Sequence, residues 1–131
     1  MAHRILTPAF TRRDERGELT EIVAGFSAQS LLAGRMKAGA VMGGHYHKRT
    51  RVFFFLQSGS AEIRTVHVES GAQDAFDLSA GQGVVLETHE SHAIRFTADS
   101  EWLMLKSQAY DPADPDTYEY AVPDPYTHIV E

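Results

Sequence analysis

Hydrophobic and polar positions alternate along short stretches of the chain, and turn residues separate these stretches about every eight to twelve residues. Residues 61–68 alternate in this way, whereas 52–56 form a continuous apolar run, as expected for a strand with both faces covered. No long amphipathic helix is predicted. The further predicted strands are 19–23, 30–37, 75–78, 84–87, 93–97 and 101–107. This pattern predicts an all-β antiparallel sandwich or barrel.

The end of the chain differs from this pattern. Residues 108–131 hold Pro112, Pro115, Pro123 and Pro125, and proline cannot donate a ladder hydrogen bond. We therefore expect a proline-rich tail of ordered coil that wraps the barrel. A length of 131 residues suits one domain, so we predict a single domain over 1–131, with its core at about 19–107.

Composition and charge narrow the class of protein. A hydrophobic content of 43% argues against disorder, and the absence of cysteine excludes disulfides and thiolate zinc sites. A net charge of −6 argues against a nucleic-acid partner. No apolar signal core or membrane-length run occurs, which predicts a cytoplasmic protein without a membrane partner. The apolar residues on both faces of 53–56 favour a homodimer.

The candidate chemistry lies in three histidines. His45 and His47 belong to the frame Gly39-x5-His45-x-His47-x4-Val52-x6-Gly59, and His92 follows in a second block that begins at Gly81. Alternate residues of a strand share a face, so a later strand could bring His92 to the first pair. Three imidazoles can hold a divalent metal such as zinc, iron(II) or nickel, or can serve a metal-free pocket. Val52 stands where the spacing predicts a carboxylate, and both alternatives remain open.

These two blocks resemble the paired motifs of the cupin superfamily. The family motifs read Gly-x5-His-x-His-x3–4-Glu-x6-Gly and Gly-x5-Pro-x-Gly-x2-His-x3-Asn. The first block keeps every spacing but has Val52 for the glutamate. The second has Glu87, His89 and Phe96 for the proline, glycine and asparagine. The resemblance implies a single-domain cupin fold, which is a double-stranded β-helix or jelly-roll barrel.

Two further segments narrow the resemblance. Residues 14–21 (Asp-Glu-Arg-Gly-Glu-Leu-Thr-Glu) and 110–118 (Tyr-Asp-Pro-Ala-Asp-Pro-Asp-Thr-Tyr) resemble the C-terminal cupin domain of bifunctional capsular-polysaccharide sugar-nucleotide enzymes. The Asp-x-Arg-Gly turn and His-x-His-Lys also resemble nucleotide-sugar 3,5-epimerases and 3,4-ketoisomerases. Such enzymes imply a nucleotide-linked 4-keto-6-deoxyhexose as the small-molecule substrate and no organic cofactor. The fused relatives carry a reductase, so a separate reductase is an implied partner.

The resemblance implies a role for each candidate residue. A base removes the acidic proton beside the carbonyl, and a metal or histidine side chains stabilise the enediolate. With a metal on His45, His47 and His92, the base would be His89, Glu87 or a tyrosine; without it, one of the three histidines is the base. The predicted catalytic residues are His47, His89 and His92. The predicted substrate-binding residues are Arg16, Lys48 and Tyr118.

Two other functions remain open from the sequence. The loss of the carboxylate and the altered second block are compatible with a natural-product tailoring enzyme, such as a cyclase, a lyase or an iron(II) oxygenase. A cupin without the carboxylate could also be a non-catalytic small-molecule-binding module. The predicted function is the isomerase.

Overall fold

The structure is a computed structural model that describes residues 4–8 and 10–123. Its elements in these ranges are β-strands joined by short turns. The strands are β1 (Phe10–Asp14), β2 (Gly17–Glu21), β3 (Ser30–Met36), β4 (Val41–Tyr46), β5 (Val52–Ser58), β6 (Ser60–His67), β7 (Gln73–Ser79), β8 (Gln82–Leu86), β9 (Glu90–Phe96), β10 (Ser100–Lys106) and β11 (Tyr118–Glu119). The all-β prediction is confirmed. The described residues contain no helix that is long and apolar enough to span a membrane.

Two antiparallel sheets form the body of the protein. One has the order β3-β10-β5-β8, and the other has the order β11-β4-β9-β6-β7. Their facing side chains make one core, because apolar residues of β5, β8 and β10 cluster with those of β6, β7 and β9. Phe54 and Phe96, one from each sheet, are both 0% exposed and lie 6.3 Å apart between ring centroids. The arrangement is a β-sandwich. In both sheets, neighbouring strands often lie far apart in the sequence, as β3 and β10 or β4 and β9 do.

The first two strands form a hairpin outside this sandwich. Within the described residues, β1 and β2 pair only with each other, and nearly every residue in them is exposed. The sequence pattern did not predict β1, because its polar residues leave no apolar face to bury. An isolated hairpin is marginal in water. Another surface is therefore expected to support it.

The tail departs from the expected coil at one point. Residues 111–117 are irregular, but Tyr118–Glu119 pair with β4 as the edge strand β11. A strand can form here because neither residue is a proline, and the neighbouring prolines, which cannot donate a ladder hydrogen bond, lie outside the paired residues. The end of the predicted tail, residues 124–131, lies outside the described residues. The short strand fixes the preceding residues beside the end of β4.

Candidate active site

A bulge in β4 decides which side of the sheet its histidines face. The pairing with β9 is regular up to Gly43 and then skips Gly44, so that His45 lies opposite His92. Met42 packs against the core, and side chains alternate along a strand. In a regular ladder of the same residues, His45 would face away from the core; because the bulge leaves Gly44 out of the pairing, His45 faces inward. Gly43 has a φ of 102°, and a β-carbon there would collide with the carbonyl oxygen of His92.

The three histidines meet at this end of the sandwich. His45 is near the end of β4, His47 directly follows that strand, and His92 lies on β9. Their ring centroids are 4.8 Å apart for His45 and His92, 5.1 Å for His45 and His47, and 5.8 Å for His47 and His92. One nitrogen of each ring lies within 4.8 Å of the other two. The structure thus brings together the three histidines that the sequence singled out.

These rings line a cavity of about 180 Å³, which we call the inner chamber. Its floor is apolar: Val52 and Ile94 are each 1% exposed, and Met42 and Met104 lie beside them. Lys106 also lines it. The complete lining is Met42, Gly43, His45, His47, Val52, His92, Ile94, Met104, Lys106 and Thr117. The chamber combines ionisable side chains with a floor that excludes water.

A second cavity of about 290 Å³, the outer chamber, adjoins the first. The two chambers share His47, Lys106 and Thr117. The rest of the outer lining is mostly polar and comprises Gln29, Arg49, Thr50, Gln108, Ala109, Tyr110, Asp111, Asp114 and Asp116. The tail therefore forms one wall of the outer chamber, and the pair of cavities offers a polar entrance and a partly apolar interior.

Asp116 ties this tail to the loop after β4. Its carboxylate accepts hydrogen bonds from the backbone N–H groups of Lys48 (2.8 Å), Arg49 (2.8 Å) and Thr50 (2.9 Å), and from the Thr50 hydroxyl (2.9 Å). Burial alone would raise the pKa of the Asp116 carboxyl, but these donors hold that pKa below its ordinary value. The carboxylate is thus fully used in holding the loop that follows His47.

The same residue fixes the protonation of His47. The Nδ1 atom of His47 hydrogen-bonds to the backbone carbonyl oxygen of Asp116. A carbonyl only accepts, so Nδ1 carries the proton and donates it, and Nε2 of the neutral ring has a free lone pair. An imidazole in this tautomer can accept a proton at Nε2. It is oriented for that task by a hydrogen bond that no change of pH near neutrality removes.

All three histidines are held in the neutral form. Burial is the largest cause: it lowers the pKa of His92 to about 3, with the charges of His45 and His47 adding to it. Burial also lowers the pKa of His45, followed by the charges of His47 and Lys106. For His47, burial lowers the pKa and outweighs the Asp116 hydrogen bond that raises it. The chamber therefore offers uncharged imidazoles at neutral pH.

Residues 12–118 match the sequence profile of a family described as the polysaccharide biosynthesis C-terminal domain. This range covers more than half of the 131 residues. The chain belongs to this family. Among curated protein sequences, none matches the chain.

Solved structures place this polysaccharide biosynthesis C-terminal domain among known folds. The capsular polysaccharide assembling protein CapF from Staphylococcus aureus is 26% identical, with a TM-score of 0.68, over 86% of this chain and 34% of CapF. The 3'-monoepimerase ChmJ from Streptomyces bikiniensis, in complex with dTDP-quinovose, is 19% identical, with a TM-score of 0.73, over 96% of this chain and 71% of ChmJ. The 4-keto-6-deoxy sugar epimerase NovW from Streptomyces spheroides is 18% identical, with a TM-score of 0.69, over 83% and 65%.

These structural similarities differ in how much of the other chain they cover and in sequence identity. The chain spans about a third of the length of CapF, 34%. The likeness to ChmJ and NovW is one of fold. The predicted cupin fold, and the resemblance to the C-terminal domain of capsular-polysaccharide enzymes and to nucleotide-sugar epimerases, are confirmed.

His89, a predicted catalytic residue, lies apart from the chambers in this family member. Its ring is 6.4 Å from that of Tyr46, and it lines neither chamber. Its backbone has a φ of 61°, the one positive value at a non-glycine position among the described residues. The turn is pinned on both sides, since the His89 N–H donates to the His47 carbonyl (2.7 Å) and its carbonyl accepts from Val68 (2.9 Å). A histidine thus adopts a left-handed backbone conformation at the position where the cupin motif has glycine.

We expect His89→Gly to raise the free energy of unfolding by about 1 kcal/mol, because glycine adopts a left-handed conformation without the steric cost that a β-carbon imposes. Urea denaturation of the wild type and the variant measures it. His89→Ala is the matched control: it keeps the β-carbon and should show no gain. A loss of catalytic rate of about a hundredfold in both variants would instead support the predicted catalytic role of His89.

The predicted substrate-binding residues lie outside the two chambers. Arg16 is on the exposed β1–β2 hairpin, where its side chain is 85% exposed and pairs with Asp14 at 2.7 Å. Lys48 and Tyr118 come together, with the Lys48 ammonium 4.3 Å from the Tyr118 ring centroid. Glu87, considered as a substitute carboxylate, forms an ion pair with Arg51 at 2.9 Å and lines neither chamber. The roles of Arg16, Lys48 and Tyr118 therefore stay predictions.

Sequence reasoning missed two residues of the site. Lys106 is the charged residue at the end of an apolar strand, and such a residue usually marks where the strand meets solvent. The register instead places it opposite Val52 on β5. Asp116 is one of several aspartates in the tail, and nothing in its local sequence separates it from Asp111 or Asp114. A weak signal did exist: Asp116 lies inside the 110–118 segment that resembles the family.

Proposed function

We propose that this chain is an isomerase of the epimerase or ketoisomerase type that acts on a nucleotide-activated 4-keto-6-deoxy sugar. The observation that carries the proposal is His47, which is neutral, fixed in one tautomer by Asp116 and exposed to a chamber with an apolar floor. Membership of a polysaccharide biosynthesis family and the likeness to CapF support a sugar substrate. The fold shared with NovW and ChmJ, which are sugar epimerases, supports the reaction type.

The histidines suit a divalent metal in donor type but not in charge. Their nitrogens are neutral and lie within 4.8 Å of one another. Among the described residues that line the inner chamber, however, none is a carboxylate, and the Lys106 ammonium shares the space. Within this lining a dication would meet a like charge and no carboxylate ligand, and the nearby Asp116 carboxylate is already used by the loop after β4. A metal on all three rings would also use the lone pairs needed for a base. We conclude that the residues do not fit a resident metal, which favours the metal-free alternative.

The proposed chemistry is a proton transfer. Nε2 of His47 takes the proton from the carbon beside the 4-keto group; the C–H electron pair becomes a C=C bond and the carbonyl π electrons move to the oxygen, which gives an enediolate. A proton then returns either to the other face of the same carbon or to the former carbonyl carbon. In the second case the hydroxyl at the first carbon loses its proton and becomes the new carbonyl. His92, neutral and 4% exposed, and His45 offer hydrogen bonds to sugar hydroxyls. The apolar floor keeps water from competing for the intermediate.

The two chambers suggest where each part of the substrate binds. We propose that the keto sugar enters the inner chamber of about 180 Å³. The nucleotide then stays in or beyond the polar outer chamber of about 290 Å³. Arg49, which pairs with Asp114 at 3.2 Å, and Lys106 are the cations in its lining.

The test of this function is solvent exchange. The protein, treated with a metal chelator, is incubated in deuterium oxide with a dTDP-linked 4-keto-6-deoxyhexose. We expect deuterium at the carbon beside the carbonyl, faster than in the sugar without protein, because the abstracted proton exchanges with solvent. Proton magnetic resonance and mass spectrometry measure it.

Other outcomes would favour the other classes of function. Binding of the nucleotide sugar with no deuterium uptake over hours would point to the non-catalytic module. Oxygen consumption that depends on added iron(II) would point to the oxygenase. Either result would remove the isomerase proposal.

We also propose that the chain works as a homodimer and beside a reductase. The exposed hairpin, with Leu19 at 59% exposure, and the outer face of the four-stranded sheet, with Leu31 at 66%, support a second copy that covers them. In such a dimer, Arg16 of one copy would reach the chamber of the other copy and contact the nucleotide there. Light scattering tests the dimer, which would have twice the 14.5 kDa mass of one chain. CapF, three times as long as the matched part, supports the reductase, which would consume the rearranged keto sugar.

A further inference from the structure

One lysine stands where the two chambers join. Lys106 is the last residue of β10 and lines both cavities. Alternation along β10 explains its direction: Met104 packs into the core, Leu105 lies on the other face, and Lys106 again faces inward. The backbone of Lys106 is therefore fixed by a regular strand, and the ammonium moves only as the lysine side chain changes conformation.

The inner chamber gives Lys106 no counter-ion, and the carboxylates beside it belong to the outer chamber, where Asp116 binds the loop after β4 and Asp114 pairs with Arg49. No carboxylate is among the described residues that line the inner chamber, and no ion pair of Lys106 occurs in the described part of the chain. Its charge is felt by the histidines, because it contributes to the lowered pKa of both His45 and His47, after burial. A lysine kept without a counter-ion beside neutral imidazoles is suited to meet a negative charge that develops during a reaction.

We infer that Lys106 is a catalytic residue whose ammonium binds the carbonyl oxygen of the keto sugar and the oxyanion that forms there. This rests on the proposed function. As His47 removes the proton from carbon, the C–H electron pair becomes the enolate C=C bond, and the carbonyl π electrons move to the oxygen. The ammonium N–H groups donate hydrogen bonds to that oxygen, and no proton need leave Lys106. When the proton returns to carbon, the electrons move back and the ammonium is unchanged.

Val52 contributes to the environment of the Lys106 ammonium. It lies opposite Lys106 in the register of β5 and β10, and both side chains face the inner chamber. The glutamate of the cupin motif at this position would neutralise Lys106 from the neighbouring strand. Valine leaves the ammonium free for the substrate. The missing carboxylate and the lysine thus act together, and a cation fixed on the chain takes the place of a bound one.

The kinetic test compares Lys106→Met, Lys106→Arg and a control, Lys37→Met. Lys37 is exposed and lines neither chamber. We expect Lys106→Met to lower kcat for deuterium exchange about a hundredfold, as the loss of an oxyanion donor does, with KM changed less than about threefold. Lys106→Arg should keep at least a tenth of kcat, and Lys37→Met should match the wild type. A Lys106→Met enzyme within threefold of wild-type kcat would overturn the assignment.

A second measurement is independent of activity. Cobalt(II) is titrated into the wild type and Lys106→Met, and its visible absorption reports binding to the histidines. Because the ammonium repels a dication, Lys106→Met should bind cobalt at least about tenfold more tightly. Equal affinity would overturn the placement of this charge at the histidines. If the wild type exchanges no deuterium, the proposed function fails, whereas the cobalt comparison still decides whether Lys106 faces the three rings.

Discussion

His47→Ala should lower the rate of deuterium exchange into the keto sugar by about a thousandfold. The Nε2 lone pair of His47 faces the inner chamber, and the Asp116 carbonyl holds the ring by Nδ1. Alanine removes the proton acceptor without replacing it. His92 remains, but burial lowers its pKa to about 3, which makes it a weak base. The initial rate of deuterium uptake measures the effect.

The matched control is His67→Ala. His67 ends β6 and lines neither chamber, and in the described part of the chain its ring accepts hydrogen bonds only from its own turn, at Glu69 and Ser70. Its variant should exchange deuterium at the wild-type rate. Nucleotide-sugar binding by His47→Ala, measured by calorimetry, should be weakened by less than about tenfold, since the base contributes to the transition state more than to binding. Equal exchange rates for the wild type and His47→Ala would disprove a His47 base.

Asp116→Ala should lower the free energy of unfolding by about 3 kcal/mol. The substitution removes the acceptor of three backbone N–H groups and the Thr50 hydroxyl. Water can replace it at Lys48 and Arg49, which are exposed, but Thr50 is only 4% exposed and its donors would be left unsatisfied. Chemical denaturation gives the stability. The exchange rate should fall as well, because the loop and tail that position His47 come apart.

Asp114→Ala is the control from the same tail. Its carboxylate is 70% exposed, and Arg49 is its one ion-pair partner among the described residues, so its removal should cost less than about 0.5 kcal/mol.

The effect of pH gives a further check with Asp116→Asn. Since the hydrogen bonds hold the Asp116 pKa below its ordinary value, the carboxylate adds stability above about pH 4, and this contribution is lost as the pH falls through the folded-state pKa. The difference between wild type and Asp116→Asn should therefore shrink in acid. A constant difference would contradict this account.

The sequence predicted the frame of the site well, for a physical reason. Strands have a period of two and turns have distinctive residues, so the apolar runs and the His-x-His spacing are local information. That information was enough to predict an all-β fold, most strand positions and the meeting of His45, His47 and His92. The position of Val52 also followed from spacing alone.

The parts that could not be predicted depend on long-range contacts. Lys106 joins the site because β10 pairs with β5, and Asp116 joins it because the tail returns to β4. Neither pairing is encoded in the residues nearby. Likewise, the position of His89 outside the chambers follows from a backbone conformation, φ 61°, that spacing does not reveal.

The bulge in β4 makes the chemistry of this fold depend on backbone conformation as well as on side chains. Gly43 and Gly44 have φ values of 102° and 80°, which residues other than glycine rarely adopt. A regular ladder of the same residues would exchange the two faces of every residue that follows in the strand, turning Tyr46 inward and the imidazoles of His45 and His47 outward. In evolution, a substitution that closes this bulge would therefore remove the histidines from the chamber, with no catalytic side chain mutated.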